Sequence, residues 1–278
     1  MPLPPVTDNT ARTGTPSPAE PPAEDSSEWQ TLLAEASGSR SSGDAAGFKP
    51  DSPLRALYGP LCAARRGGPF VVGHLAQTLD GRIATECGLS HWLSGAEDLL
   101  HTHRMRALVQ AVVVGVTTVL LDDPQLTVRR CRGPNPVRVV IDPDRRLDGT
   151  QRIFRDGLAP TLLVCGADRA REGERLGQAE VVPVVRSTVG LSPREICRVL
   201  AARGLSSLLI EGGGVTVSRF LQDGALNRLQ ITIAPVILGS GRPALVLPTI
   251  TDLGNSLRPR TRRIPLGDDV MIECDFDV

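Results

Sequence analysis

The chain has 278 residues, 41% of them hydrophobic, 22% charged and 3% aromatic, which suits a soluble globular protein with room for one large or two small domains. Its 31 basic residues balance 31 acidic ones, and two Trp, one Tyr and five Phe are too few to stack on bases, so no nucleic-acid partner is expected. The longest apolar run, Ala111 to Leu121, is well short of the ~20 residues a bilayer span needs, and the first residues resemble neither a secretory nor an organellar leader, so no membrane association and a cytoplasmic location are expected.

Residues 1–51 are rich in Pro, Ser, Gly, Ala and acids, a composition that buries too little apolar surface to offset ordering, and most of this tail is expected to be disordered. Within it Trp29, Leu32 and Leu33 form one short amphipathic patch, read either as a helical turn docking on the body or a partner, or as weakly docked chain. The folded unit is expected to start near Ser52 and to form a single domain over 52–278.

From Pro69 β-rich runs alternate with helical stretches: PFVVGHLAQ, a helix, AVVVGV, VRVVID, TLLVCG, VVPVV, a helix, SLLIEGG, a short helix and LQITIAPVIL. That alternation predicts an α/β fold with a largely parallel sheet flanked by helices. Two capping boxes mark helix starts, Ser94-x-x-Glu97 for a helix through Arg106 and Ser192-Pro193-x-Glu195 for one through Arg203. The final VMIECDFDV alternates like an edge or antiparallel strand, which makes the sheet mixed.

Much chemistry is excluded. The single lysine, Lys49, precedes Pro50, so no Walker loop exists. The six cysteines contain no Cys-x-x-Cys pair, the zinc deaminase pattern is missing, and His101 and His103 point apart on a helix, so no metal site is expected. No Gly-x-Ser-x-Gly elbow is present, and Gly239-Ser240-Gly241 follows the last long strand too late to be a dinucleotide loop.

Three features remain. Glu211-Gly212-Gly213-Gly214 joins an apolar strand to a helix, where backbone N–H groups meet phosphate, although a tight turn alone would also need such glycines. Asp122-Asp123-Pro124 with Leu126-Thr127-Val128-Arg129 follows a strand end, where ligands sit in α/β sheets, although acids before proline also make plain turns. Thr78-Leu79-Asp80-Gly81-Arg82 ends the first strand, and Ser90-His91-Trp92 follows it; the tryptophan reads equally as a platform for a flat ring or a buried anchor.

In order and spacing these features resemble the reductase domain of riboflavin biosynthesis, the C-terminal half of bacterial deaminase-reductases and the related stand-alone pyrimidine reductases. The matching stretches are Ala76-x-Thr78-Leu79-Asp80-Gly81-Arg82, Ser90-x-Trp92, Arg106-Ala107, the run from Val114 to Arg129, Val137 to Asp142, Glu211-Gly212-Gly213 and Ala234-Pro235-x-x-Leu238-Gly239, spanning Phe70 to at least Gly241.

The resemblance implies a dihydrofolate-reductase-like fold and NADPH-dependent reduction of the ribosyl group of an aminopyrimidine ribose phosphate to ribityl, without metal. It further implies cofactor contacts at Ala76, Trp92, Thr118, Asp122 and Gly213 to Arg219, including Gly214, Val215 and Thr216, and substrate contacts at Ser90, Arg106, Leu126, Arg129 and Glu211. Candidate proton handlers are His74, Asp80 and Glu211; His74 stands where the family usually has lysine, and no deaminase pattern precedes the match. Arginines 145, 146, 169 and 171 are candidates for the 2′-phosphate that separates NADPH from NADH. A homodimer is expected, because LQITIAPVIL would aggregate as an open edge; pairing with Val270 to Phe276 is the intrachain alternative. A reductase of a pterin or other pyrimidine, and a non-catalytic nucleotide-binding or scaffolding protein, remain as rival readings.

Overall fold

The computed structural model describes residues 26–39, 51–67, 69–90, 93–188 and 190–276; Trp92, and the expected disordered tail apart from 26–39 and 51, lie outside these residues. Helices α1 (Ser27–Ala36) and α2 (Pro53–Gly67) precede strand β1 (Phe70–Thr78) and the short β2 (Arg82–Ala84). Then follow α3 (Ala96–Leu108), β3 (Ala111–Gly115), α4 (Val116–Asp122), β4 (Val137–Ile141), β5 (Thr161–Gly166), β6 (Arg175–Leu176) and β7 (Ala179–Val184). The chain continues with α5 (Pro193–Ala201), β8 (Ser207–Ile210), α6 (Gly214–Gln222), β9 (Arg228–Ala234), β10 (Arg242–Pro243), β11 (Arg260–Leu266) and β12 (Asp269–Asp275).

One ten-stranded sheet runs β11-β12-β9-β1-β8-β3-β4-β5-β7-β6, while β2 and β10 form a separate pair. Strands β9 through β7 are parallel, and β12, β11 and β6 add antiparallel edges, so the mixed, mainly parallel sheet flanked by helices is as expected. Both faces are covered, which is why AVVV, TLLV and SLLI are continuous apolar runs. One face carries Val72, Val112, Val114, Val140 and Leu163 against α1 to α4; the other carries Val71, Val113, Val139 and Val164 against α5 and α6. A Cβ on Gly73 would lie 3.1–3.4 Å from Leu229, Leu226 and Val217, so glycine there lets α6 sit close on β1.

Three local expectations change or resolve. Ser192 caps α5 as its sequence dictates, its hydroxyl accepting from the Glu195 N–H at 3.4 Å with Pro193 in the first turn. The Ser94–Glu97 box does not form: α3 starts at Ala96 after Gly95, whose N–H donates to Asp269 at 2.7 Å, and Ser94 bonds instead to Asp98. Strand β9 is interior rather than an edge, since it lies between β1 and β12 and the C-terminal segment satisfies it within one chain.

The amphipathic patch ahead of Ser52 is a docked helix. Trp29 and Leu32 are fully buried, the Trp29 indole N–H donates to the Arg132 carbonyl at 3.0 Å, and the indole meets the Tyr58 ring edge-on at 5.8 Å. Helix α1 also bonds Glu35 to Arg55 of α2. The folded body therefore begins before Ser52, because the groove that receives Trp29 is assembled from α2, α3 and the loop after Cys131.

Candidate active site

The ends of β1, β3, β4 and β8 open into one cleft of about 860 Å³, the place where open α/β sheets hold ligands. Its wall brings together His74 and Ala76 from β1, Ser90 from the following loop, Thr118 and Asp122 from α4, and Glu211 after β8. The first turn of α6 adds Gly213, Gly214, Val215 and Thr216. Residues scattered over more than a hundred positions thus meet at one surface.

Glycines shape the entrance to α6. Gly212 has φ +96°, a left-handed conformation, and a Cβ there would lie 2.7 Å from the Thr118 hydroxyl. A Cβ on Gly214 would come within 2.2 Å of the Ala244 carbonyl oxygen, so only glycine lets β10 pass that close. Thr118 accepts from the Gly213 N–H at 3.1 Å, which fixes the turn against α4. The first turn of α6, Gly214 to Thr216, lines the cleft and brings the positive end of the helix dipole to it, a place that fits the pyrophosphate of a dinucleotide.

At the start of the same junction Glu211 is held by Arg106 in a two-pronged pair, with Nε to Oε1 at 2.8 Å and Nη2 to Oε2 at 2.6 Å. Burial works against the Arg106 charge, but Glu211 outweighs it and keeps the guanidinium above its ordinary pKa. The remaining Arg106 nitrogen donates to the Thr127 carbonyl at 3.2 Å. Three of the five Arg106 N–H donors are thus spent on Glu211 and Thr127, and Arg106 is not among the residues that line the cleft, so in this arrangement it orients Glu211. Arg129 is exposed beside it, tied to the Thr127 hydroxyl at 2.7 Å, and its backbone N–H donates to His103 Nδ1 at 2.9 Å.

Two other expected residues stand away from the cleft wall. Leu126 is buried with φ +56°, a conformation that costs a bulky residue about 1–2 kcal/mol, so it anchors the loop that presents Thr127 and Arg129. Asp80 is exposed at a strand tip and does not line the cleft; the Thr78 hydroxyl and the N–H groups of Leu238 and Gly239 hold its carboxyl down to about 2 and tie it into the turn.

Sequence reasoning passed over four supports. Asp98 of α3 approaches His74, with Oδ1 3.4 Å from Nε2, and accepts from the Thr232 hydroxyl at 2.6 Å. His101 bonds to Tyr58 at 2.7 Å and to Gln230 at 2.9 Å, and burial pulls its pKa down to about 3. Burial, followed by Arg106, Arg129 and Arg130, does the same to His103. Arg138, almost fully buried in β4, reaches the Gln125 carbonyl and Asp156 and so staples the loop before Leu126. Of these, the Arg138 in an otherwise apolar strand was a visible signal.

The sequence profile of the RibD C-terminal domain matches residues 69–259. The 2,5-diamino-6-ribosylamino-4(3H)-pyrimidinone 5′-phosphate reductase of Methanothermobacter thermautotrophicus is 37% identical over 216 residues, covering 74% of this chain and 97% of that protein. The riboflavin biosynthesis protein RibD of Aquifex aeolicus is 33% identical over 73% of this chain, and the match spans 57% of its own length. Among solved structures, the Thermotoga maritima diaminohydroxyphosphoribosylaminopyrimidine deaminase/5-amino-6-(5-phosphoribosylamino)uracil reductase superposes with a TM-score of 0.63 at 28% identity, covering 80% of this chain and 61% of that one. Acinetobacter baumannii RibD gives 0.65 at 25% identity, with 80% and 62% covered. The cleft lies inside the matched residues, and the chain belongs to the RibD C-terminal domain family, the riboflavin-biosynthesis reductase domain.

Proposed function

We propose that this chain reduces the ribosyl group of an aminopyrimidine ribose phosphate to ribityl, with NADPH as the hydride donor, as a step of riboflavin biosynthesis. As a member of this family it is an oxidoreductase that takes a nicotinamide cofactor and a small-molecule substrate. The observation that carries the reading is a single cleft lined by His74, by Glu211 with Arg106 paired to it, and by the glycine-built entrance to α6, in a chain that spans almost the whole of an archaeal reductase. That relative's name favours the undeaminated diaminopyrimidinone as substrate.

When bound, NADPH supplies the hydride, so the protein has to bind, orient and handle one proton. Thr118, Asp122 and the first turn of α6 hold the dinucleotide, with Ala76 and Trp92 as further cofactor contacts. Ser90 and Glu211 face the pyrimidine and ribosyl part, and Glu211 accepts hydrogen bonds from hydroxyl or amino groups in a direction that Arg106 fixes. Arg129, exposed beside Thr127, takes the substrate phosphate. His74 supplies the proton to the nitrogen at which the reduced carbon is attached. Of the four arginines considered for the cofactor's 2′-phosphate, Arg146 lines the cleft, whereas Arg145 is paired with Glu174 at 2.9 Å; Arg146 reads that phosphate.

The protein works in the cytoplasm as a homodimer. Ile237, Val246, Leu247, Ile250, Leu253 and Leu257 are exposed along one segment, an apolar surface that a symmetry mate would cover. Light scattering should give twice the 29.6 kDa chain mass, and a single-chain mass would refute the dimer. For the activity, purified protein should oxidise NADPH with the diaminopyrimidinone ribose phosphate faster than with its deaminated counterpart. Inertness with both refutes the reading, and equal rates on dephosphorylated substrate refute the Arg129 assignment.

A further inference from the structure

Strand β1 carries His74 into the cleft wall, and the first turn of α3 carries Asp98 to the same wall. The two side chains are 6% and 3% exposed, and His74 Nε2 lies 3.4 Å from Asp98 Oδ1. Among the described residues no hydrogen-bond partner reaches His74 Nδ1. Its other neighbour of note is the His101 ring, edge-on at 5.4 Å, and His101 is fully engaged by Tyr58 and Gln230. Asp98 is thus the polar group that sets which way the His74 ring points.

Asp98 is itself firmly placed. Burial alone pushes its carboxyl upward, but His74, the Thr232 hydroxyl and Ser94 outweigh that and hold it below the usual carboxylate range. A buried carboxylate with three donors is a rigid acceptor. It selects the His74 tautomer with the hydrogen on Nε2 and leaves the imidazole fixed on the cleft wall, as an orienting carboxylate does for a general acid or base. The failed Ser94 cap has the same cause, since Ser94 serves Asp98 instead of the first turn of α3.

We infer that Asp98, supported by Thr232 and Ser94, is the positioning residue for His74, and that this pair delivers the proton of the reduction. The inference rests on the proposed reductase reading. In the step, hydride adds to the carbon of the C=N bond of the ring-opened substrate, and the π electron pair moves to nitrogen. That nitrogen takes a proton from the His74 ring, which regains one from water.

The test pairs kinetics with spectroscopy of the ligand-free protein, in which only four histidines must be assigned. Asp98→Asn should lower kcat at least tenfold while the KM for NADPH stays within twofold. In a His74→Gln background the same change should alter kcat less than twofold. In proton–nitrogen correlation spectra the His74 ring should show hydrogen on Nε2, and Asp98→Asn should shift those signals while leaving the His103 ring in place. Thr232→Val, a milder change, should shift them in the same direction with a several-fold loss of kcat. An Asp98→Asn enzyme within twofold of the parent, an equal loss in both backgrounds, or unmoved His74 signals would overturn the inference. A parent protein inert on every aminopyrimidine ribose phosphate, with the spectral response intact, would instead refute the reductase reading.

Discussion

Removing Glu211 should strand a buried cation. Arg106 is 11% exposed and spends Nε and Nη2 on Glu211, with the Thr127 carbonyl as its other partner among the described residues. Two charge-assisted hydrogen bonds of roughly 1.5–3 kcal/mol each disappear in Glu211→Ala, and breaking one partner of a buried pair costs about 3–5 kcal/mol. Because the pair adjoins an open cleft, water softens the penalty, and we expect about 3 kcal/mol. Glu211→Gln retains one acceptor and should cost about half as much. Replacing both partners, as in Arg106→Met with Glu211→Ala, removes the stranded charge and should recover much of the stability but none of the activity. Urea unfolding monitored by circular dichroism reads all three, provided the m-values agree. A Glu211→Ala protein within 1 kcal/mol of the parent, or a double variant less stable than either single one, would refute the argument.

Trp29→Ala should destabilise by roughly 3 kcal/mol in the same assay, since it empties a site where the side chain is fully buried and hydrogen-bonded to Arg132; a loss below 1 kcal/mol would mean α1 is only loosely held. Arg146→Ala should raise the KM for NADPH about tenfold or more and leave that for NADH nearly unchanged; a parallel rise in both would remove Arg146 from 2′-phosphate recognition. Acid should weaken the fold above the carboxylate range. His101 and His103, held near 3, stay neutral in the folded chain while their unfolded counterparts, near 6.5, bind protons, so stability is lost as pH falls below about 6.5. The expected loss between pH 6 and pH 5 is about 2–3 kcal/mol, and His101→Gln should roughly halve it; a flat profile would contradict the neutral buried rings.

What could be read from the sequence was what local chemistry decides. The apolar runs at β3, β5 and β8, the proline-marked start of α5 and the glycine junction before α6 each carry their instruction within a few residues. What escaped depended on partners far along the chain. Trp29 finds its acceptor 103 positions away, so a tail of disordered composition still supplies a core helix. Arg106 was expected to meet an anion, and the anion it meets is Glu211, 105 positions on. Ser94 looked like a cap because its spacing to Glu97 is right, yet Asp98 and Asp269 compete for the groups that a capping box would join. Asp98 itself had no signal: an acid in the first turn of a helix is ordinary, and only the packing of β1 and β9 against α3 gives it His74 and Thr232.

Transfer of label from cofactor to product tests the central claim most directly. Incubating the protein with the diaminopyrimidinone ribose phosphate and NADPH deuterated at the transferring position of C4 should place the deuterium at C1′ of a ribityl product, in step with NADPH oxidation. A product without deuterium, or with it on the pyrimidine ring, would contradict the account.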